Sequence, residues 1–107
     1  MPNKNYDRGR VLEYRTIKNF EDMGCTAIRS AGSHGLTDVI AWNRRCFWLV
    51  QIKSGSARMT PAEIEAFKEM DAPPNAIKQI HQYVKNKGKW ELIVKDVKDV
   101  KDLQVNV

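Results

Sequence analysis

The stretch that decides the fold runs Thr37-Asp38-Val39-Ile40-Ala41-Trp42, then Asn43-Arg44-Arg45, then Cys46-Phe47-Trp48-Leu49-Val50-Gln51-Ile52-Lys53. Two apolar runs rich in β-branched and aromatic residues flank a short polar turn, which predicts a hairpin with strands over 37–42 and 46–53. Runs this apolar belong in a sheet covered on both faces, where charges are rare unless something partners them. Yet an acid opens the first strand, and a Gln and a Lys close the second. Alternate side chains of a strand share a face, so Gln51 and Lys53 point together while Ile52 points into the opposite layer. Asp38 begins the neighbouring strand, so all three meet at one end of the hairpin.

Elements on either side complete a sheet. Upstream, Asp7 is a good N-cap and the spacing predicts a helix from about Arg8 to Met23, stopped by Gly24. On its wheel Leu12, Thr16, Ile17, Phe20 and Met23 share a face, with Glu13 in the middle of it and Gly9 one turn earlier clearing space. Thr26–Ser30 reads as a short strand and Ala31–Gly35 as a loop of small residues. Downstream, Thr60-Pro61-Ala62-Glu63 is a capping box with Pro at the first helical position, starting a helix that runs to about Met70. Residues 76–84 fit a helical period as well as a strand. A strand is favoured, because Asn86–Lys89 reads as a turn and Trp90–Val94 as a strand that needs a partner. Residues 1–6 and the tail from Asp96 are expected to be peripheral, the tail forming a helical turn on Val97, Val100 and Leu103 or fraying. The expected fold class is α/β: one five-stranded mixed sheet, order α-β-β-β-α-β-β, with a helix on each face.

A chain of 107 residues is one domain. No apolar run approaches the length of a membrane span and no signal-peptide pattern is present, so no membrane partner is expected. Cys25 and Cys46 lack metal-ligand spacing and are too few for a disulfide framework, which reads as two core thiols in a reducing cytoplasm, the host's if the chain is phage-encoded. The net charge of +5 is uneven: residues 1–60 hold ten Lys and Arg against five Asp and Glu, whereas residues 61–107 hold eight of each. All seven arginines lie in the first part. Arginine grips phosphate through paired hydrogen bonds. Charge alone does not separate a polyanionic substrate from a solvated basic face, but the asymmetry combined with the acid, amide and lysine at the strand ends favours the substrate.

A carboxylate, an amide oxygen and an ammonium at strand ends suit metal-assisted phosphodiester hydrolysis. A hard cation takes oxygen ligands, here Asp38, the Gln51 side chain and the Ile52 backbone carbonyl, with Glu13 holding a water or a second ion. Lys53 is expected to orient the nucleophile and offset developing charge. Each of these residues alone has an ordinary surface reading, and it is their coincidence that carries the inference. Ser33-His34 is better read as a phosphate-contacting loop than as a nucleophile and base, since no acid is placed to orient the His. His81 reads as an ordinary strand residue, and Trp42, Trp48 and Trp90 as core.

With those residues in place, the chain resembles the PD-(D/E)xK nuclease superfamily and, within it, the archaeal-type Holliday junction resolvases. The matching text is Arg8-Gly9-Arg10-x-x-Glu13, Arg29-Ser30-Ala31-Gly32-Ser33, Asp38-Val39-Ile40-Ala41, Gln51-Ile52-Lys53 and Gly88-Lys89-Trp90. The resemblance implies a restriction-endonuclease-like core and catalytic roles for Glu13, Asp38, Gln51 and Lys53. It also implies Mg²⁺ as cofactor, with Mn²⁺ substituting, and a homodimer cutting branched DNA at four-way junctions. Arg29 and Ser33 are implied DNA contacts, and with the basic first part the DNA-binding set becomes Arg8, Arg10, Arg29, Ser30, Ser33, His34 and Arg58. The chain departs from the family at Gln51, where Glu is usual, at Thr37, where Pro is usual, and at Tyr14, often Arg. The Gln removes one negative charge from the metal site. Two alternatives stay open: a nuclease acting on flaps, ends or duplex DNA, and a catalytically silent DNA-binding subunit.

Overall fold

Helix α1 (Lys4–Asp22) ends where Gly24 can adopt a left-handed backbone, φ +85°. The Cys25 N–H reaches back to the Phe20 carbonyl and the Gly24 N–H to that of Glu21, a Schellman closure that satisfies the last turn's acceptors. The computed structural model describes residues 4–30 and 36–97, with side chains from Arg10 onward. The helix starts earlier than the sequence predicts. Asp7 lies inside it rather than capping it, and residues 4–6 are helical rather than frayed.

Strand β1 (Thr26–Arg29), β2 (Val39–Trp42) and β3 (Phe47–Ser54) follow, then α2 (Pro61–Glu69), β4 (Ala76–Asn86) and β5 (Lys89–Val97). The sheet runs β1-β2-β3-β4-β5, with β3 and β4 parallel and every other pair antiparallel. A parallel pair needs a crossover, and α2 supplies it. Its capping box forms as predicted: the Glu63 N–H donates to Thr60 Oγ1 and the Thr60 N–H to Glu63 Oε1. Residues 76–84 are strand. The β4–β5 turn at Lys87-Gly88 has positive φ at both central residues, the twist that closes a tight hairpin. Asp96 and Val97, expected in a tail, continue β5; residues 98–107 lie outside those described.

Each helix covers one face. On the α1 side Phe20, Cys25, Val39, Ala41 and Val50 form a buried cluster; on the α2 side Leu49, Met59 and Phe67 form another. Full burial of a side chain the size of Phe20 or Phe67 contributes about 2–3 kcal/mol. Of the predicted helix face, Leu12, Thr16 and Phe20 are buried and Ile17 partly so, but Met23 lies past the helix end and is 64% exposed. Cys25 is buried, whereas Cys46 is only half-buried, and both are free thiols. Trp42, Trp48 and Trp90 are half-buried rather than fully interior. Among the described residues no helix is long and apolar enough to cross a membrane.

Strand β3 is the hinge of this arrangement. Trp48, Val50 and Ile52 pack toward α1, and Phe47 and Leu49 toward α2. The pleat therefore sends Gln51 and Lys53 to the α2 side.

Candidate active site at the end of β2 and β3

Asp38 sits one residue before β2, and its backbone is fixed on both sides. Its N–H donates to the Val50 carbonyl at 2.8 Å, and its carbonyl accepts the Ser30 N–H at 2.9 Å. The side chain then does what a strand backbone would have done: Oδ2 accepts the Ile52 N–H at 2.8 Å. In a strand the N–H and C=O of one residue face the same neighbour, so the Ile52 carbonyl also lies on the Asp38 side. Sequence and structure thus agree that Asp38 and the Gln51–Lys53 segment meet.

The electrostatics of Asp38 show an under-compensated charge. Burial pushes its carboxyl above the ordinary Asp range; the Ile52 N–H pulls it back, Glu13 raises it again and Lys53 lowers it. Both Glu13 and Lys53 are therefore close enough to be felt. A carboxylate short of positive partners gains by taking up a cation. The residues expected to hold an ion here, Asp38, Gln51 and the Ile52 carbonyl, would offer oxygen donors, a set that fits a hard ion such as Mg²⁺ better than zinc. Among the described residues no three His, Cys, Asp or Glu side chains converge, so cation binding would rest on mixed carboxylate, amide and carbonyl donors. Gln51 itself is 5% exposed.

Glu13 is placed differently from the expectation that it looks straight onto this group. It is half-buried on α1, over the opposite face from Gln51 and Lys53, and its Oε1 accepts Arg29 Nε at 2.8 Å. The Arg29 guanidinium also lies 5.5 Å from the centre of the Tyr14 ring, and Glu13 holds its pKa above the usual arginine value. Arg29, expected to contact DNA, is engaged first with Glu13. Gly9 clears no tight space, since a Cβ there would meet nothing within 4 Å.

The other expected DNA contacts separate. Arg10 is exposed on α1. Ser30 is half-buried and joins the end of β1 to Asp38 through its backbone. Arg58 is exposed, but its Nη1 donates to the carbonyls of Gly55 and Ala57 at 3.2 and 3.0 Å, stiffening its own loop. Ser33, His34 and the Arg8 side chain lie outside the described residues. One buried amide escaped sequence reading altogether. Gln82, beside Lys53 in the β3–β4 register, donates through Nε2 to the same two carbonyls at 2.9 and 3.1 Å. The only signal in the chain was an amide inside a strand, which many surface positions share.

His81 is less ordinary than expected. It is buried, stacked 5.6 Å from Phe20, and desolvation pushes its pKa down to about 4. Gln79 donates to Asp96 through Nε2, so its Oε1 accepts, and His81 Nε2 must carry the proton shared with it at 2.8 Å.

Among solved structures, Hjc of Archaeoglobus fulgidus, a Holliday junction resolvase from an archaeal hyperthermophile, superposes with a TM-score of 0.61 over 89% of this chain and 97% of that one. At 17% identity, that likeness speaks for the fold alone. Among curated proteins none is similar enough in sequence to be matched. The profile of the archaeal Holliday junction resolvase (Hjc) family matches residues 4–99, nearly the whole chain. With the five-stranded mixed sheet and its helix on each face, that match means the chain belongs to the Hjc family of Holliday junction resolvases.

Proposed function

We propose that this chain is a Mg²⁺-dependent, structure-selective DNA endonuclease that resolves four-way junctions as a homodimer. The observation that carries the reading is the Asp38 carboxylate, half-buried and locked to the Ile52 N–H, with Gln51 and Lys53 on the adjoining strand end. Asp38, the Gln51 amide and the Ile52 carbonyl would hold the ion, which when bound polarises the scissile phosphate and makes a water more acidic. Lys53 contributes a fixed positive charge next to that phosphate, where charge grows during in-line attack. Arg29 pins Glu13, so the second carboxylate adds negative potential at Asp38 without wandering into the phosphate path. Recognition rests on the basic first part of the chain, with Arg10 exposed on α1 and Arg58 beside the β3–α2 loop. Such contacts read phosphate positions, hence branched shape, rather than base sequence.

One observation favours the silent-binder alternative: Gln51 leaves the site with fewer carboxylates than its relatives' usual Glu would give, and no three acids converge among the described residues. Cleavage of a synthetic four-way junction beside duplex, flap and single-stranded controls in Mg²⁺ discriminates these readings. Paired symmetric nicks in the junction alone are expected, lost in Asp38→Ala and Lys53→Ala with binding retained. Equal cutting of duplex would refute structure selectivity. Binding without cutting, with activity appearing only in Gln51→Glu, would establish the silent binder.

A further inference from the structure

From the last residue of β3 the chain makes a short loop, Ser54-Gly55-Ser56-Ala57, that is tied to β4 and lies beside the Lys85–Trp90 end of the β4–β5 hairpin. Between them lies a cleft of about 450 Å³ lined by that loop, Lys85 and Trp90. Its chemistry is unlike a leftover surface dent. Three of the loop's carbonyls are engaged: that of Ser54 accepts the Ala57 N–H at 3.1 Å, and those of Gly55 and Ala57 accept from Gln82 and Arg58. The Gly55 N–H is tied to the Tyr83 carbonyl at 2.8 Å, so the loop is fixed to β4. Those acceptors are thereby occupied, and Ser54 and Ser56 are among the residues that line the cleft. Across from them Lys85 is exposed, its Nζ 5.9 Å from the centre of the half-buried Trp90 ring. A cation, two serines and an indole ring lining one cleft make a surface that suits a nucleotide: phosphate at the lysine, sugar and base at the ring.

We propose that this cleft binds the nucleotide flanking the scissile phosphate. The inference rests on the nuclease reading above: the cleft opens at the end of β3, where Lys53 and Ser54 pair with Gln82 and Tyr83. Lys85 faces Trp90 two positions further along β4, on the opposite face of the sheet from the Lys53 side chain, so a strand passing over the sheet end meets both. Ser54 lies two strand positions past Ile52, about 7 Å away, a distance that a neighbouring nucleotide can span. A nucleotide held here fixes the register of the strand at the cutting site. It also favours DNA in which a base can leave its stack, as at the crossover of a branched molecule, since a paired and stacked base presents no free face to an indole.

The test is junction binding by fluorescence anisotropy in EDTA, with a synthetic four-way junction as the probe and Lys85→Ala, Trp90→Ala and Trp90→Phe as variants. Trp90→Ala is expected to bind about tenfold more weakly, and Trp90→Phe to remain within about threefold of wild type, because a phenyl ring still stacks. Lys85→Ala, at an exposed position that leaves folding intact, should lower the slope of log K against log salt by about 1. In a Trp42→Phe/Trp48→Phe protein, emission from Trp90 alone should be quenched on adding the junction. Wild-type protein that binds the junction, with affinity and salt slope untouched by Lys85→Ala and no Trp90 quenching, would overturn the cleft while leaving the nuclease reading standing. Wild-type protein that binds no DNA overturns both.

Discussion

Asp38 concentrates the tension between stability and chemistry. Its carboxyl is raised chiefly by burial, so the charged form costs folding energy at neutral pH, and that cost is relieved as pH falls through the raised pKa. Asp38→Asn keeps an oxygen for the Ile52 N–H and removes the charge. The variant is expected to be more stable by about 0.5–1 kcal/mol at pH 7 while losing cleavage. Mg²⁺ should raise the melting temperature of wild type and not of the variant, because only the carboxylate gains by the ion. Equal Mg²⁺ stabilisation of both proteins would remove Asp38 from the ion site. His81 has the opposite sign. Held neutral in the fold, with a pKa of about 4 against 6.5, it contributes stability that is complete above pH 6.5 and is lost as pH falls toward 4. By pH 5 wild type should lose about 2 kcal/mol on this account. His81→Gln, which keeps an N–H for Gln79 and cannot charge, should show a correspondingly flatter acid limb in urea titrations at pH 7 and pH 5.

At the scale of elements, the joints between helix and sheet are polar as well as apolar. Thr16 donates to the Leu12 carbonyl at 2.8 Å, so the Tyr83 hydroxyl, 2.7 Å from Thr16 Oγ1, must donate to it and fastens α1 to β4. On the other face Lys78, 5% exposed, donates through Nζ to the carbonyls of Lys68 and Met70 at 2.6 and 2.7 Å. A positive charge at the carbonyl end of α2 satisfies acceptors that the helix leaves open and complements its dipole. Lys78→Met fills the space but strands those acceptors, and is expected to cost about 2–3 kcal/mol in urea unfolding. A neutral outcome would mean that water reaches the end of α2. Neither joint was legible in the sequence, because Thr16, Tyr83 and Lys78 announce no partner until strand order is known. The elements themselves were legible wherever a local signal was strong: the capping box at Thr60, the stop at Gly24, the apolar runs of β2 and β3. The start of α1 was not, since nothing in Lys4-Asn5-Tyr6 forbids helix and Asp7 offered a misleading cap. The hairpin placed Asp38 against Ile52 correctly, but the wheel alone could not reveal that Arg29 intercepts Glu13.

At the scale of the whole molecule, one chain holds one Asp38–Lys53 group, whereas resolving a four-way junction takes two symmetric cuts. A dimer with a two-fold axis presents two such groups at fixed spacing to two equivalent strands. The uneven charge fits that geometry, since a basic first part on each copy would double the positive face offered to phosphates around the branch point. If the two cuts are made by two copies on one junction, doping wild type with Lys53→Ala separates nicking from resolution. Mixed dimers carry one working site, so they nick and do not resolve. Resolved product should then fall as the square of the wild-type fraction, while single nicks rise to a maximum at equal mixing, where they exceed resolved product, and fall again beyond it. A cruciform plasmid reads both at once, because a nick relaxes it and a resolving pair of cuts linearises it. Linear dependence of resolution on the wild-type fraction would mean that a single copy cuts, releases and cuts again, and the dimer would have no part in the reaction.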